Sequence, residues 1–173
     1  MAAETDMTEY QYSLQGLDLS QAQAAQDLLT VLKQESDTFE LAEARDSLAQ
    51  QEQDESLVAA AAQPQKTWLL WANAKNGKQL QVGIASIADG EVGIAILAEH
   101  QGRGLGRLTM EALIDWAKKV GYDRLWLDVD ETNEVARHLY HTLGFVEVGE
   151  DTMPILLQSG RQANLVKMEL ILA

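Results

Sequence analysis

The sequence predicts a single α/β domain over residues 1–173, with a mixed, mostly antiparallel sheet of about seven strands flanked by about four helices. Two patterns carry this prediction. Residues 67–97 read as three strands split by the dipeptides Asn76-Gly77 and Asp89-Gly90, which supply the positive φ of tight hairpins. Residues 105–143 then run helix, strand, helix, and a strand–helix–strand succession implies a parallel pair joined by a right-handed crossover. The length of 173 residues suits one domain.

Taken in order, residues 10–14 read as a short strand. Ser20 is placed as the N-cap of a helix with Ala24, Leu28, Val31 and Leu32 on one face. An acidic loop over 34–43 leads to a second helix over 43–62, rich in Ala, Glu, Gln and Leu and stopped by Pro64. The meander follows at 67–74 (TWLLWANA), 80–87 (LQVGIASI) and 91–97 (EVGIAIL). A third helix over 105–120 sets Leu105, Leu108, Ala112, Leu113, Trp116 and Val120 at helical spacing and ends at Gly121, a natural helix stop. After a strand at 124–129 (RLWLDV), a fourth helix over 133–143 carries Val135, Ala136, Leu139, Tyr140 and Leu143, and stops at Gly144. Strands at 145–149 and 164–172 close the sheet. Trp68, Trp71, Trp116 and Trp126 fall on these elements, so core packing is their default role.

Composition narrows the chemistry. The 46% hydrophobic and 23% charged residues match a soluble globular chain. The longest uninterrupted apolar run, 57–62, is far short of the roughly 18 residues that span a bilayer, so no membrane helix and no membrane partner are expected. The acidic start, MAAETD, lacks the features of a secretory signal, and the expected location is the cytoplasm. Without cysteine there are no disulfides, thiolate metal sites or cysteine nucleophiles. The net charge of −14 is concentrated in residues 1–66, where thirteen Asp/Glu face three Lys/Arg. Such a chain repels phosphate backbones, which disfavours nucleic acid and favours a cationic small molecule or basic peptide; the same charge also serves solubility.

The sharpest local feature is Gln101-Gly102-Arg103-Gly104-Leu105-Gly106-Arg107, between an apolar strand and an amphipathic helix. Glycines let successive N–H groups point at one spot, and a helix N-terminus adds roughly half a positive charge there, so the segment suits an anion. Arg103 and Arg107 are candidates for charge-assisted contacts to a diphosphate. The alternative is a plain glycine-rich turn. A dinucleotide fingerprint fails on spacing, because Arg107 stands where the third glycine belongs, and no Gly-Lys-Ser/Thr follows to make a Walker loop.

A second motif follows the next strand: Asn133-x-x-Ala136-x-x-Leu139-Tyr140-x-x-x-Gly144-Phe145. Together, Q-x-x-G-x-G and N-x-x-A-x-x-L-Y-x-x-x-G-F resemble the GNAT superfamily of acyl-CoA-dependent N-acetyltransferases, residue by residue over 91–145. The resemblance implies a splayed sheet and acetyl-CoA as the acyl donor. It assigns the CoA pyrophosphate to Gly102, Arg103, Gly104, Leu105, Gly106 and Arg107 after Gln101, and the pantetheine arm to the strand Ile94, Ala95, Ile96. Two positions depart from the common pattern: Ala98 where many members have proline, and Gln101 in a slot often held by arginine.

Acyl transfer from a thioester to an amine needs a neutral amine, a polarised carbonyl and a proton for the leaving thiolate. The resemblance implies Tyr140 as general acid, and the alternative for this residue is a core aromatic. Asn133 resembles the family asparagine that contacts the cofactor, and an ordinary helix cap is compatible with that role. Glu91, Asp37 and Glu40 are candidate bases, each with a solvated surface role as the alternative. His138 and His141 with Glu134 read as polar helix surface rather than a metal site, and His100 as a loop side chain. With no nucleophile suited to an acyl-enzyme, the expected reaction is direct attack by a primary amine of a small molecule or peptide in a ternary complex. A non-catalytic acyl-CoA-binding module of the same fold is the alternative. Homodimers are common in the family, and the sequence locates no interface.

Overall fold

Strand alternation and hairpin turns assemble most of the molecule into one sheet, described by a computed structural model over residues 10–36, 63–157 and 159–172. The second helix expected over 43–62, and with it Asp37 and Glu40, lies outside the described residues. The strands are β1 (Tyr10–Gly16), β2 (Lys66–Ala74), β3 (Gln79–Ala88), β4 (Glu91–Ile96), β5 (Arg124–Asp130), β6 (Val146–Glu147), β7 (Met153–Leu156) and β8 (Gln162–Ile171). The helices are α1 (Ala22–Glu35), α2 (Leu105–Val120) and α3 (Glu134–Thr142). The sheet order is β1-β2-β3-β4-β5-β8-β6, with β7 also on β8. All pairs are antiparallel except β4 with β5.

The two hairpins form by different routes. Asp89 and Gly90 both take positive φ, 51° and 79°, as a two-residue turn of matching twist demands. At the first hairpin only Gly77 is left-handed. There Gly77 N–H donates to the Ala74 carbonyl and Ala74 N–H to the Lys78 carbonyl, so the turn closes through a glycine bulge rather than a left-handed Asn-Gly pair.

Helices α2 and α3 cover one face of the sheet and α1 the other. The larger core lies under α2 and includes Met110, Leu113, Leu125, Phe145 and Met168, all essentially sealed from solvent. Ala25, Leu28 and Leu32 of α1 pack on Leu69 and on the half-buried Trp71, Ile84, Ala95 and Leu97. Among the described residues, no helix is long and apolar enough to cross a membrane.

Several expectations about faces and ends are corrected. Ser20 does not cap α1; it lies in a 3-10 turn over Leu19–Gln21, where the Asp18 carboxylate accepts from its N–H and hydroxyl. That turn rotates the helix so that Ala25 faces inward while Ala24 and Val31 are exposed. On α2 the buried stripe is Leu105, Thr109, Met110, Leu113, Ile114 and Ala117, leaving Leu108, Ala112 and Val120 exposed. Val135, the first apolar residue of α3, is 84% exposed. The strand expected at 145–149 shrinks to two residues, because Phe145 is spent closing the end of α3. The extra strand β7 contains Pro154, which weakens any strand reading of the sequence.

Candidate active site

The segment 101–107 turns on two left-handed glycines, Gly102 at φ 75° and Gly104 at φ 79°. Gly104 is the N-cap of α2, so the N–H groups of Leu105, Gly106 and Arg107 begin the helix without an intrahelical acceptor. A Cβ on Gly102 or Gly104 would meet nothing within 4 Å, so the turn is open beside both glycines. That open, donor-lined cradle fits a diphosphate.

The cradle is held by its neighbours. Gln101 Nε2 donates to the Ile96 carbonyl at 2.8 Å, tying the turn to the end of β4. Glu35 at the end of α1 accepts from Ala98 N–H at 2.9 Å. The Arg107 guanidinium turns toward α3, donating to Thr142 Oγ1 at 2.6 Å and pairing with Glu111 at 3.6 Å. Arg103 Nη2 reaches the Glu99 carbonyl at 3.5 Å.

Beside the cradle the sheet opens. β4 and β5 register at one pair, Glu91 with Trp126, where Trp126 N–H donates to the Gly90 carbonyl at 2.9 Å. Leu97 N–H donates to Val82 on β3, so by antiparallel alternation Ala95 bonds across to Ile84. Ile94 and Ile96 therefore turn their backbone groups toward the gap, and Ile96 carbonyl is taken by Gln101. Glu91 sits at the closed end, roughly 10 Å along the strand from Ile94. It shares a strand face with Ala95, on the α1 side.

Tyr140 lies on α3, on the opposite side of the sheet from α1. Asn133 caps that helix, its Oδ1 accepting from Ala136 N–H at 3.2 Å. At the other end Gly144 takes φ 99° and Phe145 N–H returns to the Tyr140 carbonyl at 3.0 Å, which draws Phe145 into the core. The two rings stand 5.9 Å apart. The Tyr140 hydroxyl has no hydrogen-bond partner among the described residues, and burial pushes its pKa up to about 12. Tyr140 and Ile94 pack against the same core cluster.

Besides the Arg107–Thr142 bond, a close backbone approach joins the two motifs. A Cβ on Gly106 would lie 3.2 Å from Leu139 Cδ2, so a glycine there lets the start of α2 seat closely on α3 beside Tyr140. His138 is exposed, and His141 Nε2 lies 3.7 Å from Glu147, which the Arg137 guanidinium also holds. His100, read from the sequence as a loop side chain, is instead 5% exposed and bonded through Nδ1 to the Tyr12 hydroxyl at 3.0 Å. Burial and the nearby Arg103 charge lower its pKa, with Glu99 opposing. A histidine beside glycines carries no sequence signal for burial, and its partner lies 88 residues away.

Comparison with known proteins gives the family and the fold. The acetyltransferase (GNAT) family model matches residues 28–145. The [ribosomal protein bS18]-alanine N-acetyltransferase of Escherichia coli K12 is 40% identical over 76 residues, 42% of this chain and 51% of that protein. Streptothricin acetyltransferase of Streptomyces lavendulae is 37% identical over 59 residues, 34% of this chain and 31% of that protein. The chain thus spans about half or less of the length of the curated relatives it matches. A GNAT acetyltransferase structure from Streptococcus pneumoniae superposes with a TM-score of 0.67 at 24% identity, over 93% of this chain and 99% of that one. Spermidine N-acetyltransferase from Vibrio cholerae, in complex with CoA and spermine, gives a TM-score of 0.61 at 19% identity, over 93% and 95% of the two chains. The matched segment holds the cradle, the opened strand pair and the tyrosine helix together, and the chain belongs to the GNAT family of acetyltransferases.

Proposed function

We propose that the protein transfers an acetyl group from acetyl-CoA to a primary amine of a small molecule or peptide, by direct attack with both substrates bound. The observation that carries this reading is the Gly106–Leu139 contact, which seats the anion cradle against the helix that bears Tyr140. Gly102, Gly104 and the first N–H groups of α2 would hold the diphosphate, and Ile94 the amide arm. Acetyl-CoA, when bound, supplies an activated thioester carbonyl.

The chain's own residues then divide the proton work. Tyr140 donates toward the leaving sulfur. With the hydroxyl at about 12 and a thiol near 8.5, full transfer is uphill by about 5 kcal/mol, so Tyr140 acts chiefly as a hydrogen-bond donor to developing charge. Glu91, on the other face of the strand pair, takes the amine proton directly or through water. The relatives support an amine acceptor without choosing one, since their names cover a ribosomal protein's alanine, streptothricin and spermidine. The acidic composition favours a cationic acceptor.

An amine panel with thiol-release detection tests this. Acetyl-CoA turnover should depend on a primary amine, and Tyr140→Phe should lower kcat by roughly 10²- to 10⁴-fold while CoA affinity holds. Unchanged turnover in Tyr140→Phe would refute the assigned acid. Binding of acetyl-CoA with no turnover of any amine would favour the non-catalytic module.

A further inference from the structure

The loop 101–104 is seated at both ends on the three-stranded edge of the sheet. Leu105, just after it, is 5% exposed and packs with Leu70, Ala72 and Val82 of β2 and β3 and with Tyr10 and Tyr12 of β1. His100, just before it, is equally buried and sits against the same two tyrosines, its ring 5.4 Å from Tyr10 and 5.8 Å from Tyr12, both edge-on. Of the side chains that fix this turn, Gln101 and Glu35 bond at exposed positions, whereas the Tyr12–His100 bond is partly buried. An exposed bond competes with water, and a shielded one between two rigid rings fixes both distance and angle.

We infer that Tyr12, on the edge strand, is a positioning residue that acts through His100 to hold the anion cradle in its binding geometry. The inference rests on reading 101–107 as the acetyl-CoA site. It follows from where the rings lie: only Gln101 separates His100 from Gly102, so a displaced imidazole moves the first left-handed glycine, and the N–H groups after it lose their common aim. The Tyr12 hydroxyl is spent on His100, so its loss should appear in cofactor binding and not in the chemical step.

The test compares three variants of the whole chain by calorimetry with CoA and by steady-state kinetics. Tyr12→Phe keeps the ring and deletes the hydroxyl; it should raise the CoA Kd and the KM for acetyl-CoA roughly fivefold, with kcat at saturation and Tm near wild type. His100→Asn keeps an acceptor close to the Nδ1 position and should recover most of that loss relative to His100→Ala. Tyr10→Phe, whose hydroxyl makes no bond to His100, should bind CoA as wild type does. Tyr12→Phe with Kd within twofold of wild type would overturn the inference. So would equal losses of kcat and Tm in Tyr12→Phe and Tyr10→Phe, which would mark the stack as merely structural. If wild type itself fails to bind CoA, the cofactor reading has failed and this inference falls with it, a result visible in the first titration.

Discussion

Burial keeps the Tyr140 hydroxyl protonated at every physiological pH. Its folded pKa, about 12, lies above the usual 10.0, so the stabilisation of its neutral form is present below pH 10 and is lost as pH rises toward 12. Burial raises the Tyr122 hydroxyl too, so an absorbance titration should show late tyrosinates near the top of the range, and Tyr140→Phe should shrink that late step; a Tyr140→Phe curve identical to wild type would contradict the burial. His100 runs the other way. Its pKa lies below the usual 6.5, held there by burial and Arg103 against the pull of Glu99, with Tyr10 and Tyr12 as the other facing groups. A lowered histidine costs stability as pH falls below about 6.5, because the unfolded chain then binds the proton more readily. Thermal melts from pH 7 down to 5.5 should show a decline that His100→Asn reduces.

At the scale of elements, α2 and α3 are coupled through a glycine. Gly106→Val would drive a branched side chain into Leu139 and should destabilise by about 1–3 kcal/mol in denaturant melts, with Leu139→Ala restoring part of the loss. Asn133→Ala should cost about 1 kcal/mol as a lost cap and Asn133→Ser much less; a CoA affinity loss in Asn133→Ser would show that the amide does more than cap. The sequence made α2 legible to the residue, because a glycine stands at each end and its apolar spacing is long. It made α3 legible through Asn133 and Gly144. Which face was buried was less legible: Leu108 and Val135 are apolar yet point outward, since tertiary placement rather than periodicity decides the last turn of rotation. The cradle was readable because glycine and helix start are local signals. The Gly106–Leu139 contact and the Tyr12–His100 bond were not, because each joins residues that only the fold brings together.

At the scale of the molecule, charge and cofactor site make separate claims. A chain of net charge −14 would attract a cationic acceptor of the kind proposed, through a field that salt screens within about 8 Å at physiological ionic strength. The KM of a polyamine or basic peptide should therefore rise with salt while that of a neutral-bodied amine changes little, and equal responses would remove charge from the account of specificity. The central claim is that 101–107 is the acetyl-CoA cradle. Calorimetric titration of acetyl-CoA into wild type and Gly104→Glu tests it most directly, because a side chain at Gly104 strains the left-handed N-cap at φ 79° and a carboxylate there sets negative charge at the start of α2. Wild type should bind in the micromolar range, and Gly104→Glu should lose that binding while staying folded by circular dichroism. No binding by wild type, or full binding by the folded variant, would contradict it.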